Sequence, residues 1–198
     1  MVAFALAVFF MIATPGPAVL ALAGVGAAFS FKDGLRFLVG LTVGYLLVWF
    51  FVITGLASVV FSVSYMRTVF LIISSVYLIY LSIKIMMKGS KIAFIQPENL
   101  PNIFDGIILQ LVNPKAYAFH SILFSGFVVY PNDIILETIW KFIVMNAVWV
   151  PLHLVWLFMG ASIKKVDLEP YIQRKINLVM GLSLFLVSIL SFLTINKI

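Results

Sequence analysis

Met1–Phe31 reads MVAFALAVFFMIATPGPAVLALAGVGAAFSF, a run with no charged side chain that is interrupted near its middle by Pro15-Gly16-Pro17. About 20 apolar residues cross about 30 Å of hydrocarbon as a helix, so the run is long enough to span a membrane. The interruption is costly in that setting. A proline inside a helix removes a backbone donor and costs about 3 kcal/mol relative to alanine, and glycine adds up to about 1 kcal/mol. Hydrocarbon has no water to repair the freed carbonyls, so a break persists only where protein or a wet cavity satisfies them. The sequence therefore places Pro15, Gly16 and Pro17 at an inward-facing site. Ala21-Leu22-Ala23 has the small-x-small look of a secretory cleavage site. However, the run begins Met1-Val2-Ala3-Phe4 and meets no Lys or Arg before Lys32, so it is read as a retained span.

The rest of the chain is of the same kind. Hydrophobic residues make up 64% of the 198 and charged residues 10%, a balance outside that of soluble domains. Uncharged runs at 37–66, 142–163 and 176–196 are each long enough to cross. Thr68–Ser82 reaches span length if Lys84 and Lys88 extend their ammonium groups to the interface. A sixth run, from about Gly106 to Tyr130, is interrupted only by Lys115. The expected fold is an all-α integral membrane protein with six transmembrane helices, forming a single domain over 1–198.

Positive charge gives the orientation. Lys32 and Arg36, then Lys84, Lys88 and Lys91, then Lys164, Lys165, Arg174 and Lys175 fall on one side, nine of the 13 basic residues. Arg67, Lys141 and Lys197 fall on the other, and Lys115 lies within the fourth span. The positive-inside rule then puts both termini outside a multi-pass membrane protein. The net charge of +6 is thus a topology signal, not a nucleic-acid patch. Cysteine is absent, which excludes thiol chemistry.

Six spans divide into halves, 1–88 and 103–198, around a polar loop at 84–105. Three spans per half is an odd number, so the halves would be inverted, a 3+3 repeat. The first helix of each half has its own break: Pro15-Gly16-Pro17 in helix 1 and Asn113-Pro114-Lys115 in helix 4. Paired Pro/Gly-broken helices at matching positions point to a transporter's binding site near the midplane.

Four groups of residues are candidates for that site. Lys115 would cost about 2.5 to 3.5 kcal/mol at the bilayer centre, so either its ammonium holds a substrate carboxylate or it anchors at the interface. Asn113 offers a donor and an acceptor to substrate or to the broken backbone around Pro114. Asn146, Trp149, His153 and Trp156 recur at intervals of three and four, which sets them on one helical face, with Pro151 as a third break. The tryptophans flanking His153 either hold an amine by cation–π contact or pack against neighbouring helices. Gly40 and Gly44, followed by Gly55, read as a close-packing face that would serve a homodimer as well as an internal contact.

Thr14-Pro15-Gly16-Pro17, Gly34 with Gly40 and Gly44, Val76-Tyr77-Leu78-Ile79-Tyr80-Leu81, Asn113-Pro114-Lys115-Ala116, and Asn177 with Met180-Gly181 occur in an order and spacing that is recognisable as a set. In these residues the chain resembles the LysE/RhtB family of lysine and homoserine/threonine exporters, nearly end to end. The resemblance implies a six-helix inner-membrane carrier that expels amino acids or related small metabolites, driven by the proton motive force. The candidate substrate site comprises Pro15, Gly16, Pro17, Asn113, Pro114 and Lys115 at the two breaks, Asn146, Trp149 and His153 on the helical stripe, and Tyr45 beside Gly44. Tyr45 stands where many relatives have an acid, and between Asp33 and Asp105 the only acidic residue is Glu98, so the membrane interior is expected to lack a carboxylate. Coupling would then run through His120 or His153, through the substrate, or not through protons.

Other classes are set against this reading. An exporter of another solute or of a cation would want intramembrane carboxylates. A non-transporting membrane assembly partner would show lipid-facing polar residues. No paired acids, His-Glu-x-x-His or Gly-x-Ser-x-Gly motif supports an enzyme. The two histidines have neither cysteines nor acidic partners, so neither a metal nor another cofactor is expected. The expected partners are a small zwitterionic substrate and the lipid bilayer.

Overall fold

In the computed structural model the described residues are 1–55, 69, 72, 75–76, 79–80, 82–83, 85–87, 99–163 and 169–195. Every regular element among them is helical: α1 (Val2–Ala13), α2 (Pro17–Ala28), α3 (Phe31–Ile53), α4 (Ile103–Leu111), α5 (Pro114–Gly126), α6 (Ile134–Ser162) and α7 (Pro170–Ile195).

Both expected breaks are present. α1 stops at Thr14, whose N–H still donates to Phe10 O at 3.1 Å, and Gly16 turns extended (φ −139°, ψ 177°). Pro17 then opens α2 at the first helical position, where a missing N–H costs nothing, and the two axes meet at 52°. The second break falls at Val112-Asn113. Asn113 is extended (φ −83°, ψ 107°) and caps α5 with its own side chain, and Pro114 takes the first helical position.

Two expectations about breaks and glycines are corrected. Pro151 does not break its helix, because α6 continues from Ile134 to Ser162 around it. Unlike Pro15 and Pro114, it has no neighbouring Gly or Asn in an extended conformation to turn the chain. Gly55 does not belong to a packing face. It follows the C-terminus of α3 with φ +76°, the left-handed position that glycine fills at helix ends, and a Cβ there would meet nothing within 4 Å.

Gly40 and Gly44 do serve close packing, and their partner is α4. A Cβ on Gly40 would lie 2.1 Å from Ile103 O, and one on Gly44 2.7 Å from Gln110 Cβ. Gly106 answers from α4, where a Cβ would come within 2.7 Å of Phe37 O. α2 and α6 meet in the same way through Gly26 and Gly160, the latter leaving only 2.0 Å between an added Cβ and Ala23 O. Lipid tails are as apolar as leucine, so helices in a membrane associate by such close backbone approach more than by burial of apolar surface.

These contacts also give direction. Phe4 lies 5.2 Å from Trp140 and Ala23 lies on Gly160, so α1 and α2 together run alongside α6. Ile103 lies on Gly40, Gln110 on Gly44, and Phe124 is 6.3 Å from Trp49, so α4 and α5 together run alongside α3. Each broken pair therefore follows one continuous helix.

α3 and α6 are each long and apolar enough to cross a membrane, and the bent α1–α2 pair adds a third candidate. Most of the expected third span and residues 88–98 of the expected polar loop lie outside the described residues, as do Arg67, Lys84, Lys88, Lys91, Lys164, Lys165 and Lys197. Ser82 Oγ donates to Gly181 O at 2.8 Å, which ties the expected third span to α7.

A carboxylate and its partner are packed between helices at the start of α6, just before the expected span at 142–163. Glu137, one turn into α6, is 5% exposed and pairs with Lys141 (Nζ–Oε1 2.6 Å). Its other oxygen accepts from the N–H groups of Val129 and Tyr130, while Lys141 Nζ donates to Phe124 O (3.1 Å) and Phe127 O (2.5 Å). The pair is satisfied by the open backbone at the end of α5, as a buried ion pair must be. Its role is structural.

Candidate functional site

The two breaks meet. Lys115, in the first turn of α5, extends its ammonium across to the first break and donates to Thr14 O, one of the carbonyls that Pro15-Gly16-Pro17 leaves without a helical partner. Gly16 makes room for it, since a Cβ there would lie 2.9 Å from Lys115 Cδ. The ammonium is thus directed into the protein and not outward to an interface.

A side-chain relay stands behind Lys115. Its backbone N–H donates to Asn113 Oδ1 (3.1 Å), and Asn113 Nδ2 donates to Gln110 Oε1 (3.1 Å). Asn113 and Gln110 are 5% and 3% exposed. Asn113 therefore repairs the α4–α5 break and cannot be separated from it.

α3 and α6 close the other side with aromatic rings. Trp149 and His153 lie one turn apart on α6, and their rings stack at 3.6 Å and 19°. His153 Nδ1 is 2.8 Å from Trp149 O. Tyr45 packs from α3 against Trp149 (4.8 Å) and His120 (4.7 Å), and its buried hydroxyl has no hydrogen-bond partner among the described residues.

Between these groups lies a cavity of about 50 Å³. A water needs roughly 10–15 Å³ on this measure, so there is room for a few waters or one small solute. Of the residues expected at the site, Gly16, Tyr45, Asn113, Lys115, Trp149 and His153 line the cavity. Pro15, Pro17 and Pro114 are not among its lining residues and contribute by shaping the two breaks. Asn146 is not brought in: its Nδ2 donates to Phe142 O at 2.8 Å, one turn back on its own helix. Trp156, on the same sequence stripe, does not line the cavity either.

Gln110 and Phe119 line the cavity and were not expected. Phe119 lies four residues after Lys115, on the same face of α5, and Gln110 lies three before Asn113. Asking where the Asn113 amide could bond would have pointed to Gln110.

Among the described residues, Lys115 is the one Lys, Arg, Asp or Glu in the lining. A fixed cation with an amide relay beside it favours an anionic group, and Tyr45, Phe119 and Trp149 add aromatic surface to the same lining.

The family model for LysE type translocators matches residues 9–194, a stretch that includes both breaks and every residue of the cavity. No curated protein and no solved structure matches the chain. With the match covering nearly the whole length, the chain belongs to the LysE type translocator family, a membrane protein that carries small solutes.

Proposed function

We propose that the chain exports amino acids or closely related small zwitterions, with the cavity between the two breaks as the substrate site. The observation that carries this reading is the Lys115 ammonium at Thr14 O, a part-buried cation placed where two broken helices converge. Lys115 receives the carboxylate, Asn113 holds the break open, and Tyr45, Trp149 and His153 face the ammonium end. An exporter of inorganic cations is disfavoured by the same observation, since Lys115 would repel its cargo.

Six spans in two inverted halves, in an inner membrane with both termini outside, are part of this proposal. The charge distribution and the two broken pairs support it. So is drive by the proton motive force. One proton entering down 100 mV supplies about 2.3 kcal/mol, enough for about a fiftyfold outward gradient of a neutral zwitterion.

The test is to feed cells amino-acid-rich dipeptides and measure internal and external amino-acid pools, with and without expression and with a protonophore. Amino acids that appear outside only on expression, and stop with the protonophore, support the reading and name the substrate. If no pool shifts although the protein is inserted, amino-acid export is refuted. Export that continues with the protonophore refutes the proton drive alone.

A further inference from the structure

The polarity of the cavity can be followed bond by bond. A backbone N–H only donates, so the group 3.1 Å from Lys115 N must be the Asn113 oxygen. That fixes the Asn113 NH₂ toward Gln110, and hence the Gln110 oxygen toward Asn113 (3.1 Å). What remains of Gln110 is its NH₂, with no acceptor among the described residues, at the cavity wall. The side chain is also held from behind, because α4 lies so close to α3 that a Cβ on Gly44 would come within 2.7 Å of Gln110 Cβ.

The α6 side of the cavity has the opposite polarity. Trp149 O only accepts, so His153 Nδ1, at 2.8 Å, has the proton. A neutral imidazole then offers the Nε2 lone pair as an acceptor.

We infer that Gln110 is a specificity residue, a second donor beside Lys115 that fixes the solute carboxylate at the α4–α5 break and turns the ammonium toward His153. The inference rests on the amino-acid reading above and deepens it. The site selects α-amino acids that have a free carboxylate and rejects the primary amines left when that carboxylate is removed.

The full chain is reconstituted in vesicles loaded with the twenty standard L-amino acids and the amines their decarboxylation yields, and efflux is read by mass spectrometry. Wild type releases one or more amino acids and retains the matching amines. Gln110→Met keeps the volume and removes the donor, and amino-acid efflux falls about tenfold, the size of one lost bond to a charged group. Gln110→Glu presents an acceptor instead, so amino-acid efflux is lost and the matching amines leave. Asn113→Asp is the second route. Both of its oxygens accept, so Gln110 must turn its NH₂ back toward Asp and show its oxygen to the cavity, and selectivity shifts toward amines although Gln110 is unchanged.

Inserted Gln110→Met at the wild-type rate, or Gln110→Glu and Asn113→Asp with unchanged selectivity, would overturn the inference and leave export standing. Release of no amino acid by wild type overturns export and the inference together.

Discussion

The two broken helices differ in how they are held. At the second break Asn113 caps α5 with its own side chain, and Val112 N–H bonds back to Ile108 O at 3.0 Å. At the first break Gly16 has no side chain to offer, and the Thr14 carbonyl is satisfied by a cation from the other half of the chain. The second break is therefore self-sufficient and the first is borrowed. Whatever binds the Lys115 ammonium competes with the carbonyl at the first break, so under the proposed function solute occupancy and the geometry between α1 and α2 would be linked at one atom.

The sharpest way to break the comparison is Lys115→Met. It removes the cation proposed to receive the solute carboxylate and the first break's donor at once, leaving Thr14 O without its partner. Efflux from reconstituted vesicles should fall about a hundredfold, the upper range for a charge-assisted bond of up to 3 kcal/mol. Hydrogen exchange should rise at residues 14–20 and not at 113–118. Asn113→Ala strikes the self-capped break instead, where loss of a helix cap costs about 1 kcal/mol and frees Gln110, so efflux should fall about tenfold with exchange rising at 113–118. Gly44→Leu acts from outside both breaks. Its side chain would collide with Gln110 Cβ and with Ile107 O, 2.9 Å from the new Cβ, so the yield of folded protein on size exclusion should drop several-fold through overpacking of about 1–3 kcal/mol. Asn146→Ala is the smallest change. Its amide is already bonded within α6 and does not line the cavity, and efflux should fall less than about twofold, as for one part-buried neutral bond.

Both breaks were legible because each joins a proline to a residue that can leave the helix: Gly16, which is extended, and Asn113, which is extended and also caps. Pro151 has the same missing donor without such a neighbour, and proline content alone therefore misreads it. Lys115 was legible from its cost in hydrocarbon, but only the structure shows that its partner is a carbonyl at the other break. Gln110 was hidden in an apolar run, where one amide looks like tolerance. Its role depends on Asn113 three residues later and on the space that Gly44 leaves. The Glu137–Lys141 pair has a sequence signal, acid before base at i and i+4, just before the uncharged run at 142–163, but its backbone partners at the end of α5 are visible only in the fold. The Asn146, Trp149, His153 and Trp156 stripe was correct as a helical face and half correct as a cavity wall, since a face turns through the ends of its arc before it reaches a neighbour.

The central claim is that one solute site is shared by the two breaks. The chain has no cysteine, so single thiols can be introduced without removing any. Ala18 on α2 and Ala116 on α5 both line the cavity, one beside each break. Ala18→Cys and Ala116→Cys, reconstituted separately, would be treated with a small methanethiosulfonate reagent while the exported amino acid is titrated. A shared site predicts protection of both thiols with the same concentration dependence. Protection at only one of them, or at neither while transport persists, would contradict it.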